Sequence, residues 1–193
     1  AGETRASKIA RIRQQMKEEG ADIFILTSLD DIAWLLNIRG NDIHCCPVVL
    51  SYLIMTEKEV KLFAGEKAFP EKVRRNLEAD SVRIYPYNEV YTYAQKIDKD
   101  QNVLISEKCV NSRLVSSIPE NVTILDRPNP TLLAKAVKNP VEMENVRIAH
   151  IKDGVAVTKF IHWMKTKVGE EKITELSAAE KLYQFRSEQA NFQ

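Results

Sequence analysis

Residues 27–52 read TSLDDIAWLLNIRGNDIHCCPVVLSY, and this stretch contains the clearest fold signal of the chain. Its first half places apolar residues at helical spacing, and its second half is a short apolar run typical of a buried strand. A charged loop with one glycine lies between the two halves. The stretch therefore predicts a helix and a strand that are joined by a polar loop.

The spacing predicts a helix over residues 29–38. Ser28, followed three residues later by Asp31, resembles a capping box, and Gly40 is placed where such a helix ends. Arg39 then lies at the helix end, where a cation commonly satisfies the last carbonyl groups and the negative end of the helix dipole. Capping is one interpretation of Arg39, and contact with a ligand is the other.

The pair Asp30 and Asp31 allows two interpretations as well. Two neighbouring carboxylates can act as a catalytic acid and base, but acidic residues in a first helical turn also stabilise the helix dipole. The second interpretation needs no further residues, and we therefore favour a structural role for both aspartates.

Short apolar strands alternate with helices through the first two thirds of the chain. Strands are predicted at 22–27, 47–56, 60–64, 82–85, 103–106 and 122–125, and helices at 7–20, 29–38, 70–79 and 89–97. Alternation of this kind indicates an α/β fold with helices packed on a sheet. The pair 47–56 and 60–64 reads as a β-hairpin, so the sheet is predicted to be mixed.

The pattern changes in the proline-rich segment DRPNP at 126–130. Asn139, Pro140 and Glu142 form a strong helix start, and that helix is predicted to end before Gly169. A second helix is predicted to begin after Thr174. We therefore expect one α/β domain over 1–130, and over 131–193 a linker helix and the first helices of a second domain that does not finish within the chain.

Composition limits the possible partners. The 193 residues are 44% hydrophobic and 28% charged, and 28 basic residues are interleaved with 27 acidic ones. Nucleic-acid binders usually show a basic stripe, so we expect no nucleic-acid partner. Apolar runs are far shorter than the roughly 20 residues of a membrane-spanning helix, and the first residues do not resemble a signal peptide. We expect a cytoplasmic protein with no membrane partner.

The sequence contains no recognisable catalytic motif or metal-binding motif. The adjacent Cys45 and Cys46 follow His44 directly, whereas zinc ligands are usually two to four residues apart. His150 and His162 are about 18 Å apart on one predicted helix, too far to share a metal ion. We therefore predict that the chain contains no catalytic residue and no metal site.

Three segments together resemble the three-domain Xaa-Pro aminopeptidases of the creatinase and aminopeptidase P superfamily. Residues 27–52 resemble part of the second domain. The segments AVKNPVEMENVRIAHIKDGVAVTKFIHWM at 136–164 and ITELSAAEKLYQFRSEQANF at 173–192 resemble the start of the catalytic domain. The matches follow one another in the family's order.

The resemblance implies a creatinase N-terminal-like α/β domain with a ribonuclease H-like motif, followed by long helices from an incomplete pita-bread domain. It implies a parent enzyme that releases the first residue from peptides with proline in second position, uses two divalent cations, commonly manganese, and often forms a homodimer. Its metal ligands would lie beyond the chain, so the chain alone is predicted to be inactive.

The resemblance also implies that the α/β domain over 1–130 lies near the path by which the substrate reaches the catalytic site. Arg39, Asn41 and Asp42 are the positions that we expect on the rim of the access path to the catalytic site. One alternative remains open: relatives that have lost the metal ligands serve as peptide-binding or protein-binding modules.

Overall fold

The computed structural model describes residues 2–65 and 67–192. Within this part, the chain forms two compact units, Glu3–Val137 and residues 138–192. The first unit contains a sheet with helices on both faces. The second consists of two helices, and each unit is described by itself.

The elements alternate as the sequence predicts. The strands of the first unit are β1 (Ile23–Leu26), β2 (Ser51–Thr56), β3 (Val60–Ala64), β4 (Val82–Pro86), β5 (Asn102–Ile105) and β6 (Thr123–Asp126). Its helices are α1 (Arg5–Glu18), α2 (Leu29–Leu36), α3 (Glu71–Glu78), α4 (Glu89–Ala94), α5 (Ser112–Val115) and α6 (Pro130–Ala136). The second unit contains α7 (Pro140–Lys167) and α8 (Glu175–Ser187).

The six strands form one sheet in the order β4-β3-β2-β1-β5-β6. Strand β2 is antiparallel to both of its neighbours, β1 and β3, while the remaining neighbours pair in parallel. The mixed sheet and the β2–β3 hairpin are therefore confirmed. The hairpin is shorter than predicted, because β2 begins at Ser51 and the residues before it form a loop.

Both faces of the sheet are covered, as the uninterrupted burial of β1 requires. Successive side chains of a strand point to opposite faces. Phe24 accordingly packs in a cluster with apolar residues of α1, α2 and α3, while Ile25 packs with residues of α4 and α5. These two cores explain why the strands read as continuous apolar runs.

Helix α2 ends earlier than the sequence predicts. Asn37 takes the left-handed conformation with φ 53°, and it ends the helix three residues before Gly40. Lys8 Nζ donates to the Asn37 side-chain oxygen at 2.8 Å and to the Trp34 carbonyl at 2.7 Å, while Arg5 Nε donates to the Leu36 carbonyl at 2.7 Å. Cations from α1 therefore satisfy carbonyl groups at the end of α2.

Helix α6 was not predicted. It lies in the first unit, which extends from Glu3 to Val137. Thr131 and Ala134 of α6 are buried, and Ala134 joins the cluster that includes residues of α1 and α2. The assignment of 131–193 to a catalytic domain stays a prediction.

The helix starts predicted in the second unit are confirmed. The Asn139 side chain accepts from the Glu142 backbone, the Glu142 carboxylate accepts from the Asn139 backbone, and Pro140 is the first residue of α7. Gly169 follows that helix with φ 92°. Within the unit, Arg186 of α8 pairs with Asp153 of α7 at 2.7 Å. None of the described helices is both long and apolar enough to cross a membrane.

Candidate functional site

All strands of the sheet except β2 run in the same direction, so their carboxyl ends lie together at one edge of the sheet. Because only β2 is antiparallel to its neighbours, the carboxyl ends of the other strands and the amino end of β2 lie at this edge. We call it the carboxyl edge. Ligands of open α/β sheets bind outside the carboxyl ends of the strands. The carboxyl edge is therefore the place to look for a site.

The loop over residues 37–50 joins α2 to β2 at the carboxyl edge and contains the three residues predicted from the resemblance. Arg39, Asn41 and Asp42 are all exposed. The Asp42 backbone N–H donates to the Val48 carbonyl at 3.4 Å, and the Asp42 carboxylate accepts from the Leu50 backbone N–H at 2.8 Å. The loop therefore folds back on itself, and Asp42 holds its two sides together.

Gly40 is needed where the two sides of the loop approach each other. A Cβ at this position would lie 2.5 Å from Cγ2 of Val49 and 2.8 Å from the backbone oxygen of Val48. The backbone oxygen belongs to the loop itself and cannot move as a flexible side chain can. The glycine thus fixes the loop by close approach rather than by ending α2.

Replacing Gly40 with alanine is expected to lower the free energy of unfolding by about 1–3 kcal/mol, since the added methyl group forces the loop apart. Urea unfolding followed by tryptophan fluorescence measures the change. Gly65→Ala is the matched control, because a Cβ at Gly65 meets nothing within 4 Å. Equal stability of the two variants would show that the close approach at Gly40 is absent.

A cluster of tyrosines lies beside this loop at the carboxyl edge. The hydroxyl oxygens of Tyr52 and Tyr91 are 3.2 Å apart, and the Asn111 side-chain amide donates to the Tyr52 hydroxyl at 3.0 Å. The Tyr87 ring lies 4.9 Å from the Tyr52 ring, and the Arg113 guanidinium lies 4.2 Å from the Tyr91 ring. Burial raises the pKa of Tyr52 above its ordinary value.

Sequence reasoning missed this cluster. Its only local signal is the tyrosine-rich run YPYNEVYTY at 85–93. The pairing of Tyr52 with Tyr87 and Tyr91 depends on how β2, the end of β4 and α4 are arranged in the fold, which no local pattern predicts.

The two aspartates at the start of α2 have a structural partner. Asp31 is 2% exposed, its carboxylate accepts from the Thr131 hydroxyl at 2.8 Å, and Lys135 Nζ lies 2.5 Å from its other oxygen. Lys135 also pairs with Asp30, and its hydrogen bond lowers the pKa of Asp30. The Ser28 side chain makes no capping bond, so the predicted capping box is wrong. The aspartates instead attach α6 to α2.

The possible metal ligands do not converge. His44, Cys45 and Cys46 are all exposed, and both cysteines are free thiols. Across residues 2–65 and 67–192, no three His, Cys, Asp or Glu side chains are grouped so that they could hold a metal ion.

Comparison with known proteins gives the chain a family. The sequence model of the creatinase/prolidase N-terminal domain family matches residues 1–142. Xaa-Pro aminopeptidase 1 of Dictyostelium discoideum is 35% identical over 99% of this chain, which corresponds to 31% of that protein. The chain thus spans about a third of the length of the curated relatives it matches.

Solved structures agree with the sequence comparison. The X-prolyl aminopeptidase of Caenorhabditis elegans, described as a cytosolic enzyme with a di-nuclear active site, superposes with a TM-score of 0.89 at 31% identity. The match covers 100% of this chain and 32% of that one. The Xaa-Pro dipeptidase of Bacillus anthracis, at 13% identity and a TM-score of 0.63 over 96% of this chain and 49% of that one, shares the fold. The chain belongs to the creatinase/prolidase N-terminal domain family.

Proposed function

We propose that the chain is the part of a cytoplasmic Xaa-Pro aminopeptidase that precedes and begins its catalytic domain. The observation that supports this most strongly is the similarity, at 31% identity over the whole chain, to a solved X-prolyl aminopeptidase. The substrates of the whole protein would be peptides with proline in second position. A homodimer is the assembly that we propose for it.

The bond before proline explains why such an enzyme is dedicated to its substrates. Proline has no backbone N–H, and its ring restricts the conformation of the residue before it.

Two divalent cations, with manganese as the proposed metal, would activate the attacking water. The described residues do not fit such a centre, because they provide no converging group of ligands. We therefore assign no step of the hydrolysis to them.

In this proposal the chain limits the access of the peptide to the catalytic site. We place Arg39 and Asn41 at the rim of the access path, where a guanidinium binds carbonyl and carboxylate oxygens of a peptide. Asp42 shares this rim, and its bond to the Leu50 backbone holds the other two in position.

The rim is tested by replacing Arg39 with alanine in the longer protein that contains this chain. We expect KM for an Xaa-Pro peptide to rise about tenfold, as the loss of one charged hydrogen bond predicts, while kcat stays within about twofold. The rates of release of the first residue at several peptide concentrations separate the two constants.

The control variant is Arg75→Ala, since Arg75 is an exposed arginine of α3 whose side chain is 77% exposed. It should leave both constants unchanged. An Arg39→Ala variant with the wild-type KM would remove Arg39 from the proposed rim.

A further inference from the structure

A groove of about 750 Å³ opens at the carboxyl edge, beside the loop over 37–50. Its lining combines apolar surface with two opposite charges, and consists of Asp42, Leu50, Gly65, Lys67, Ala68 and Tyr87. Its volume lies in the range of small-ligand sites. We call it the Tyr87 groove.

The aromatic surface of the groove is supported from behind. Tyr87 is half-buried, and its ring lies 4.9 Å from the ring of Tyr52. Tyr52 is in turn held by the hydroxyl of Tyr91 and the amide of Asn111. A ring fixed in this way loses little conformational freedom when a ligand stacks on it.

The rest of the lining limits what can bind. Leu50 is 45% exposed although it directly precedes the buried start of β2, so it adds apolar surface to the groove. Asp42 would repel a polyanion, and among the described residues of the lining Lys67 is the only cation. A peptide matches these features, because its apolar side chains can cover Leu50 and Tyr87 while its carboxylate pairs with Lys67. Prolyl rings in extended peptides dock in such aromatic grooves.

We propose that the Tyr87 groove binds an extended segment of a peptide, with a prolyl ring or another apolar side chain stacked on Tyr87. The proposal rests on the proposed function, since the bound segment would be the part of the substrate beyond its second residue. It adds a subsite to the rim formed by Arg39 and Asn41, and it predicts that longer peptides bind better than short ones.

The test measures binding of a fluorescein-labelled, proline-rich peptide to the 193-residue chain by fluorescence anisotropy. Tyr87→Ala is expected to raise Kd about tenfold, and Tyr87→Phe, which keeps the ring, should change it less than about twofold. Tyr183→Ala is the matched control, because Tyr183 is 53% exposed on α8. Leu50→Lys is a second variant that alters the groove without opening a core, and it should weaken binding similarly.

Three results would contradict the proposal. They are the absence of saturable binding, the same Kd for wild type and Leu50→Lys, and an equal rise in Kd for Tyr183→Ala and Tyr87→Ala. The proposed function fails separately, through the cleavage assay. If the longer protein cleaves Xaa-Pro peptides while Leu50→Lys binds like wild type, only the subsite is wrong. If the chain binds the peptide through Tyr87 but the longer protein cleaves nothing, the proposed function is wrong, and the groove binds peptides without being a substrate subsite.

Discussion

Replacing Lys135 with methionine is expected to lower the free energy of unfolding of the first unit by about 3–5 kcal/mol. Lys135 Nζ lies 2.5 Å from a carboxylate oxygen of Asp31, whose side chain is 3% exposed. Methionine keeps the length of the side chain but removes its charge, so the Asp31 carboxylate would remain buried without its cation. An uncompensated buried charge is among the most destabilising changes that one substitution can make.

Urea unfolding followed by Trp34 fluorescence measures this loss. Trp34 lies on α2, the same helix as Asp31, and packs on the core of the first unit. Trp163 lies on α7, so the measurement is made in a Trp163→Phe background in which only the first unit is reported. Lys96→Met, at an exposed lysine, serves as the control for loss of charge alone.

The double variant Asp31→Asn with Lys135→Met separates the charge from the contact. Asparagine is neutral and can still accept the hydrogen bond from Thr131, so we expect the double variant to recover most of the lost stability. If Lys135→Met lowered the free energy of unfolding by less than about 1 kcal/mol, the ion pair with Asp31 would contribute no more than a surface salt bridge does. That result would contradict the structural role of Asp31.

The order of strands and helices was predictable because local patterns encode it. Strand β1 has four consecutive buried apolar residues, and α7 begins with a complete capping box. Helix α6 was missed for the opposite reason. It has seven residues, and its contacts from Thr131 and Lys135 reach Asp31 about a hundred positions away in the chain. A helix this short depends on tertiary packing rather than on its own sequence.

The end of α2 shows the same limit at the candidate site. Glycine is the usual residue in a left-handed helix cap, so the sequence predicted that Gly40 ends α2. Asn37 takes that conformation because Lys8 and the Glu3 carbonyl bind its side chain, and both lie in or before α1. Gly40 is required all the same, for the close approach of Val48. The sequence thus identified the right residue for the wrong reason.

The candidate site was predictable only in part. The exposed loop with Arg39, Asn41 and Asp42 was found through the resemblance, and their role in binding stays a prediction. Nothing local indicated that Asp42 holds the loop through Leu50, or that Tyr87 lines the same groove. The Asp42–Leu50 bond lies within one irregular loop, which no periodic pattern predicts, whereas Tyr87 follows β4 and reaches the groove only through the order of the strands.

Selectivity for proline is the second large effect that we expect. The longer protein that contains this chain should release the first residue from an Xaa-Pro-Xaa peptide at least about 100-fold faster than from the matched Xaa-Ala-Xaa peptide, as differential transition-state binding in a shaped pocket allows. Chelation of divalent cations should abolish both rates, and manganese should restore them. The 193-residue chain alone, with manganese added, should cleave neither peptide.

The ratio of kcat/KM for this pair of peptides is the most direct test of the account. A strong preference for the proline peptide, present in the longer protein and absent from the isolated chain, is the result that we predict. Equal cleavage of both peptides, no metal-dependent cleavage by the longer protein, or cleavage by the isolated chain would contradict it.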